Sequence, residues 1–155
     1  MEVSIRTARV DDATALAAIR SRSRSEPDNG DFVHHLGIPS GDDYFCLAAE
    51  IDGVVVGYLS GGGSRDDDRK SYGEVYELAA DPRDGGPSAL RALARAAIVT
   101  LTRAQYGGVI AWVDTDDGLL SEAFDAVGLL LDDRCLERRA GRRRLETELP
   151  SDERA

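Results

Sequence analysis

Apolar and polar positions alternate in short blocks along this chain. Val3 to Ala8 reads V-S-I-R-T-A and predicts a strand with one buried face. Asp11 or Asp12 is placed to cap a helix whose apolar positions are Ala13, Leu16, Ala17 and Ile19. Ser21 to Asp31 is polar, holds Pro27 and Asn29-Gly30, and predicts a loop. A short helical turn through Phe32, Val33 and Leu36 follows it. Tyr44 to Ile51, the pair Asp52-Gly53, and Val54 to Leu59 form a hairpin pattern, because Asp-Gly accepts the positive φ of a type I′ turn. Gly61-Gly62-Gly63-Ser64 and the Arg/Asp run to Lys70 predict a flexible, solvated connection. Val75 to Ala80 is a further strand, ended by Asp81-Pro82.

The second half has a different texture. Arg83 to Ser88 is a glycine-containing loop that opens into a helix with Leu90, Leu93, Ala94, Ala97, Ile98 and Leu101 on one face. Val109 to Val113 predicts a short buried strand bearing Trp112. Leu119 to Val127 predicts a short amphipathic helix closed by Gly128. Leu129 to Leu131 starts a strand expected to run past Cys135, and Ala140-Gly141 turns it back into Leu145 to Leu149. The pattern as a whole predicts an α/β domain, with a mixed and mostly antiparallel sheet of about seven strands and helices on both faces. One domain over 1–149 and a polar tail over 150–155 are expected.

Composition narrows the class. Asp plus Glu is 29 against 19 Lys plus Arg, a net charge of −10, and Lys70 is the sole lysine. An acidic surface repels phosphate backbones, so no nucleic-acid partner is expected. No apolar run is long enough for a bilayer, and Met1 to Val10 lacks the basic patch and apolar stretch of a signal peptide, so no membrane partner is expected. Cys46 and Cys135 lie far apart in no metal-ligand spacing, which predicts a reducing cytoplasm and no metal.

One segment stands out as an anion site. Strand, glycine loop and helix N-terminus follow one another from Glu74 to Leu101. A helix start presents unpaired N–H groups and the positive end of a dipole. Gly61 to Gly63 is a weaker candidate, because the adjacent Asp66, Asp67 and Asp68 repel phosphate.

The order of these blocks resembles the GCN5-related N-acetyltransferase (GNAT) family over Val3 to about Leu149. V-S-I-R-T-A-R-V-D-D-A resembles the family's first strand and helix start. E-L-A-A-D-P, Glu77 to Pro82, resembles its fourth strand. D-D-G-L-L-S-E-A-F-D-A-V-G-L, Asp116 to Leu129, resembles its D-N-x-x-A-x-x-F-Y-x-x-x-G-F block. The resemblance implies acetyl transfer from acetyl-CoA to an amine by direct attack, and family members are often homodimers. It implies pyrophosphate contacts from the N–H groups of Gly85, Gly86, Ser88 and Ala89, with charge from Arg83 or Arg91. It places the thioester carbonyl near the backbone of Leu78, Ala79 and Ala80.

Two departures from the family pattern bear on activity. The phosphate loop is Q/R-x-x-G-x-G/A in the family, and here Gly85, Ser88 and Leu90 stand at its three defining positions, with Pro87 between. Phe124 stands where many members carry a proton-donating tyrosine, which leaves Tyr76, Tyr106 or water as acids. Both departures favour a second reading, a GNAT-fold binding or regulatory module without catalysis.

Glu74 and Glu77 are the candidate bases, since the attacking amine must lose a proton. Glu74 falls at the position of the glutamate base in histone-type members and is expected to relay the proton through water. Glu77 is expected to shape the acceptor site. Three residues apart on a regular strand, they face opposite sides unless a bulge intervenes. His34 and His35 fall in the segment that covers the acceptor in this family, and read more simply as surface residues. Cys46 reads as inert packing. Arg138, Arg139, Arg142, Arg143 and Arg144 form a basic island that offsets the chain's own carboxylates.

Overall fold

The computed structural model describes residues 2–24, 44–83, 85–114, 117–131 and 142–150. The predicted turn at Phe32 to Leu36, both histidines, Cys135, Arg138 and Arg139 lie outside the described residues, as does the tail beyond Pro150.

Alternating and β-branched segments form seven strands: β1 (Ser4–Thr7), β2 (Tyr44–Ile51), β3 (Val54–Gly63), β4 (Gly73–Ala80), β5 (Gly108–Asp114), β6 (Leu130–Leu131) and β7 (Arg142–Glu148). They make one sheet in the order β1-β2-β3-β4-β5-β7-β6. Among the described residues only the β4–β5 pair is parallel. The β2–β3 hairpin turns as expected, with φ of 51° at Asp52 and 79° at Gly53.

Helix α1 (Ala13–Arg24) covers one face. Its Leu16 and Ile19 pack with Ala48, Tyr58 and Ala79. Asp12 accepts the Arg9 N–H at 2.7 Å in the one-turn 3₁₀ helix that precedes it. Helices α2 (Gly86–Arg103) and α3 (Gly118–Asp125) cover the other face. There Leu90, Leu93, Leu101 and Phe124 pack on Leu59 and Leu78 in the larger core. Asp117 caps α3 by accepting the Leu120 N–H at 3.1 Å. No helix among the described residues is long and apolar enough to cross a membrane.

The segment expected to be a mobile loop is ordered at both ends. Gly61, Gly62 and Gly63 belong to β3 and pair with Val75, Glu74 and Gly73 of β4. A Cβ at Gly61 would lie 2.7 Å from the Glu74 carbonyl oxygen and 2.9 Å from the Phe45 ring, so the glycine permits close strand packing. The Arg/Asp run beyond it is tied to β7. Arg144 is 2% exposed and donates to Asp66 at 3.0 Å and to Asp68 at 2.8 and 2.9 Å. Arg69 forks onto Glu146 at 2.7 and 3.2 Å. Part of the expected basic island is therefore a buried anchor for an acidic loop, because Asp66 and Asp68 both meet the Arg144 guanidinium from β7.

Candidate active site

Strands β4 and β5 pair for three residues only, Gly73 with Val109, Glu74 with Ile110, and Val75 with Ala111. Beyond Val75 they diverge, and the divergence coincides with a bulge. Ser60 pairs with Glu77 but Gly61 pairs with Val75, so Tyr76 is an extra residue on β4. The β4 edge from Tyr76 to Ala80 then faces a cleft of about 590 Å³ instead of a strand. Trp112 and Val113 of β5 and Leu120 and Phe124 of α3 line the opposite wall, and Gly86 and Leu90 lie at the α2 end. Leu78, Ala79 and Ala80 all line this cleft, where the carbonyl of a thioester was expected.

The bulge also corrects the expectation for the two glutamates. Glu74 pairs with Gly62 and Glu77 with Ser60, two residues apart on β3, so both carboxylates lie on the α1 face. They meet different surroundings there. Glu77 Oε1 accepts from Arg20 Nη2 at 2.6 Å, and Oε2 accepts from Arg20 Nε at 2.9 Å and from the Tyr58 hydroxyl at 2.6 Å. This fork fixes α1 on the sheet and occupies both oxygens. Glu74 is 5% exposed. Its Oε1 accepts the Arg65 backbone N–H at 2.9 Å, and its Oε2 stands 3.6 Å from Arg65 Nη2, beyond hydrogen-bond length. Burial pushes the Glu74 carboxyl above the ordinary carboxylate range, against the pull of the Arg65 N–H.

Glu74 opens onto a second cavity of about 270 Å³ with Arg65, Asp66, Val75, Tyr76, Trp112 and Arg142. Val75, Tyr76, Trp112 and Arg142 line both spaces, so the cleft and the cavity meet at the end of the strand divergence. Trp112 Nε1 donates to Asp66 at 3.0 Å, and the Arg65 guanidinium stacks over Tyr76 at 4.0 Å. The Tyr76 hydroxyl donates to the Gly63 carbonyl. Tyr106 lines neither space. Trp112, Arg65, Asp66 and Arg142 were not among the expected site residues. The lone tryptophan on the strand after the glycine loop was the available signal.

In the loop after β4, where the phosphates were expected, Gly86 lines the cleft, while Arg83, Gly85, Ser88 and Ala89 do not. Asp81 accepts the Arg83 N–H at 3.0 Å and thereby shapes the turn. Gly85 has φ +61°, the left-handed region that favours glycine, and a Cβ on it would lie 2.7 Å from Ile51 Cδ1, so a larger residue there would have to displace that side chain. With Gly85 as cap, its N–H and those of Gly86 and Ser88 stand ahead of the helix's own ladder. Ala89 does not join them, because its N–H donates to the Gly85 carbonyl at 3.0 Å. The Arg83 side chain is turned onto Asp81, with Nε and Nη2 each at 3.1 Å, and Arg22 reaches the same carboxylate at 2.8 Å. The Arg83 hydrogen bonds hold the Asp81 carboxyl down to about 2. Arg91 is exposed and lines neither space.

Phe124 is 3% exposed, is built into the core, and still reaches the cleft wall. Cys46 is buried, and desolvation pushes its thiol up to about 12, so it is an inert packing residue. The described residues contain no group of three or more His, Cys, Asp and Glu side chains placed to hold a metal ion.

No family model matches this sequence, and no curated protein matches it. Solved structures do match its fold. PaiA N-acetyltransferase from Thermoplasma acidophilum in complex with coenzyme A superposes with a TM-score of 0.76 at 12% identity, over 96% of this chain and 99% of that one. The putative acetyltransferase yncA from Salmonella typhimurium with its cofactor acetyl-CoA gives 0.77 at 17% identity, over 97% and 96%. Ribosomal-protein-alanine N-acetyltransferase from Brucella melitensis gives 0.75 at 19% identity, over 94% and 99%. These superpositions give this chain the GCN5-related N-acetyltransferase fold.

Proposed function

We propose that the chain is an acetyl-CoA-dependent N-acetyltransferase in which Glu74, not Glu77, handles the amine's proton. The observation that carries this reading is the meeting of the two spaces beside Tyr76 and Trp112, with an unpaired strand edge on one side and Glu74 on the other. The cleft, about 590 Å³, is of a size that takes a small-molecule cofactor, and backbone donors stand at its α2 end. Gly85, Gly86 and Ser88 offer N–H groups at the positive end of α2, and Gly86 and Leu90 stand where the cleft reaches that helix.

Bound acetyl-CoA supplies the thioester at whose acyl carbon the amine attacks, with the thiolate leaving. The backbone N–H groups of the free β4 edge near Leu78, Ala79 and Ala80 are the donors for the carbonyl oxygen. Glu74 takes the ammonium proton, directly or through water. A carboxyl raised by burial is a better match for that task than a solvated one. Glu77 positions α1 through Arg20. The described residues place no nucleophilic cysteine beside a base, which favours direct attack.

A second reading has its own observation. Phe124 has no proton to give, Leu90 lines the cleft where the family pattern has a small residue, and Pro87 removes one N–H from the loop. These changes favour a GNAT-fold module that binds CoA or a partner without turnover.

Thermal unfolding with acetyl-CoA and with free CoA, followed by an amine panel, separates the two. A ligand at a hundred times its dissociation constant stabilises the fold by about 2.7 kcal/mol. Stabilisation with turnover supports the enzyme. Stabilisation without turnover across the panel supports the module, and no stabilisation at millimolar cofactor overturns the cofactor site.

A further inference from the structure

The charges around the smaller cavity are matched unevenly. Asp66 is held by Arg144 and by the Trp112 indole, each at 3.0 Å. Arg65 is largely exposed, lies over Tyr76, and has Nη2 at 3.6 Å from Glu74, a carboxylate of the same cavity. Arg142 differs. Its Nη2 donates to the Trp112 carbonyl at 3.0 Å, which contributes no charge. Among the described residues its ion-pair partner is Asp114, 3.5 Å from Nε, which is 62% exposed and lines the larger cleft but not the smaller cavity. Its Nε is buried with no hydrogen-bond partner among the described residues.

Placement gives this guanidinium a use. Arg142 lines both spaces at their junction, together with Val75, Tyr76 and Trp112. It therefore shares a cavity with Glu74. That cavity is about 270 Å³, just under the usual range of small-molecule pockets. A guanidinium fork matches a carboxylate in plane and spacing, and such pairs orient a ligand as well as hold it.

We infer that Arg142 binds an acid group on the acceptor, so the acceptor is a small amine carrying its own carboxylate. The inference rests on the acyl-transfer reading. The carboxylate is held on Arg142 at the junction, and the amine lies on the Glu74 side of it, within the smaller cavity. A plain amine of the same size fills the cavity but leaves the guanidinium facing an apolar end.

The test uses matched sets of acceptors: free α-amino acids, their carboxamides and their decarboxylated amines. Each is titrated calorimetrically into the chain saturated with CoA, then assayed with acetyl-CoA. Binding is read first, because a carboxamide also changes the basicity of the neighbouring amine. The free amino acids are expected to bind roughly tenfold to a hundredfold more tightly than both partners, the usual worth of a charged hydrogen-bonded pair. In Arg142→Gln that preference falls to within about twofold, with the loss appearing in KM. In Asp114→Asn it widens, because the competing carboxylate is gone, and a merely disrupted fold does not produce a gain. Equal binding of the three acceptor types, no binding of any amino acid to a chain that holds CoA, or a preference that survives Arg142→Gln overturns the inference while the cofactor reading stands. A chain that fails to hold CoA overturns that reading and the inference with it.

Discussion

Glu74 and Glu77 lie on one strand and one face, three residues apart, yet their surroundings differ in kind. Glu77 is enclosed by a fork from Arg20 and a tyrosine hydroxyl, which together tie a helix to the sheet. Among the described residues Glu74 has a single backbone donor within hydrogen-bond distance and a guanidinium held off at 3.6 Å; it lines the smaller cavity, whereas Glu77 lines the larger cleft. A buried carboxylate saturated by strong donors is a fastener. A buried carboxylate left short of donors has its pKa raised by desolvation and holds a proton more readily than a solvated one. Identical side chains on the same strand thus take different roles, decided by which neighbours reach them.

The largest expected effect belongs to the fastener. Glu77→Gln removes the charge that the half-buried Arg20 fork engages, and should lower stability by about 3 kcal/mol, read from denaturant unfolding. Unchanged stability would mean that the fork is incidental. Asp81 is the next strongest anchor. Its folded pKa, about 2, lies below the ordinary carboxylate value, so the stabilisation is present above the unfolded pKa and lost as pH falls toward 2. Asp81→Asn should cost about 2 kcal/mol at neutral pH and flatten the acid limb of the stability curve. An acid limb that keeps its slope in this variant would place the titration elsewhere.

A smaller effect is expected where the cofactor's phosphates are proposed to sit. A Cβ at Gly86 has ordinary room, 3.6 Å from the Asp81 carbonyl oxygen, and an acidic residue suits a first helical turn. Gly86→Asp should therefore keep its melting temperature and lose about tenfold in CoA affinity, since the new carboxylate competes for the same N–H groups. Retained affinity contradicts the phosphate site.

Glu74→Gln should act on stability in the opposite direction from Glu77→Gln. The folded state holds the Glu74 proton more tightly than the unfolded one, so its contribution falls as pH rises from the ordinary glutamate range through the raised value. Replacing it relieves that penalty at neutral pH, by less than about 1 kcal/mol. A marked loss of stability at pH 7 would make Glu74 a second fastener. Phe124→Tyr is expected to have the smallest effect, a rise of a few-fold in turnover, because a thiolate near pKa 8.5 leaves tolerably unaided.

The chain of elements was legible from periodicity, because each strand and helix buries one face. The hairpin at Asp52-Gly53, the long helix with Leu93 and Leu101, and the order of β4, glycine loop and α2 could all be read directly. The bulge at Tyr76 could not, since nothing in V-Y-E-L marks an extra residue and only the pairing with β3 shows it. That one residue decides which face Glu74 occupies. The Arg144 anchor was equally hidden. A run of arginines reads as surface until the acidic loop 76 to 78 residues earlier in the chain folds against it. The cofactor loop was legible as a glycine-rich helix start. The involvement of Arg83 with Asp81 was not, because a two-residue salt bridge and a phosphate ligand look alike in sequence.

The claim that Glu74 and not Glu77 carries the proton is tested most directly by pH–rate profiles of Glu74→Gln and Glu77→Gln. Both are measured below their melting temperatures with one amine that turns over. The account predicts that Glu74→Gln loses roughly 10²–10⁴-fold at neutral pH and recovers at high pH, where the amine deprotonates unaided. It predicts that Glu77→Gln keeps the shape of the parent profile. A profile that keeps its shape in Glu74→Gln and loses its neutral limb in Glu77→Gln would contradict it.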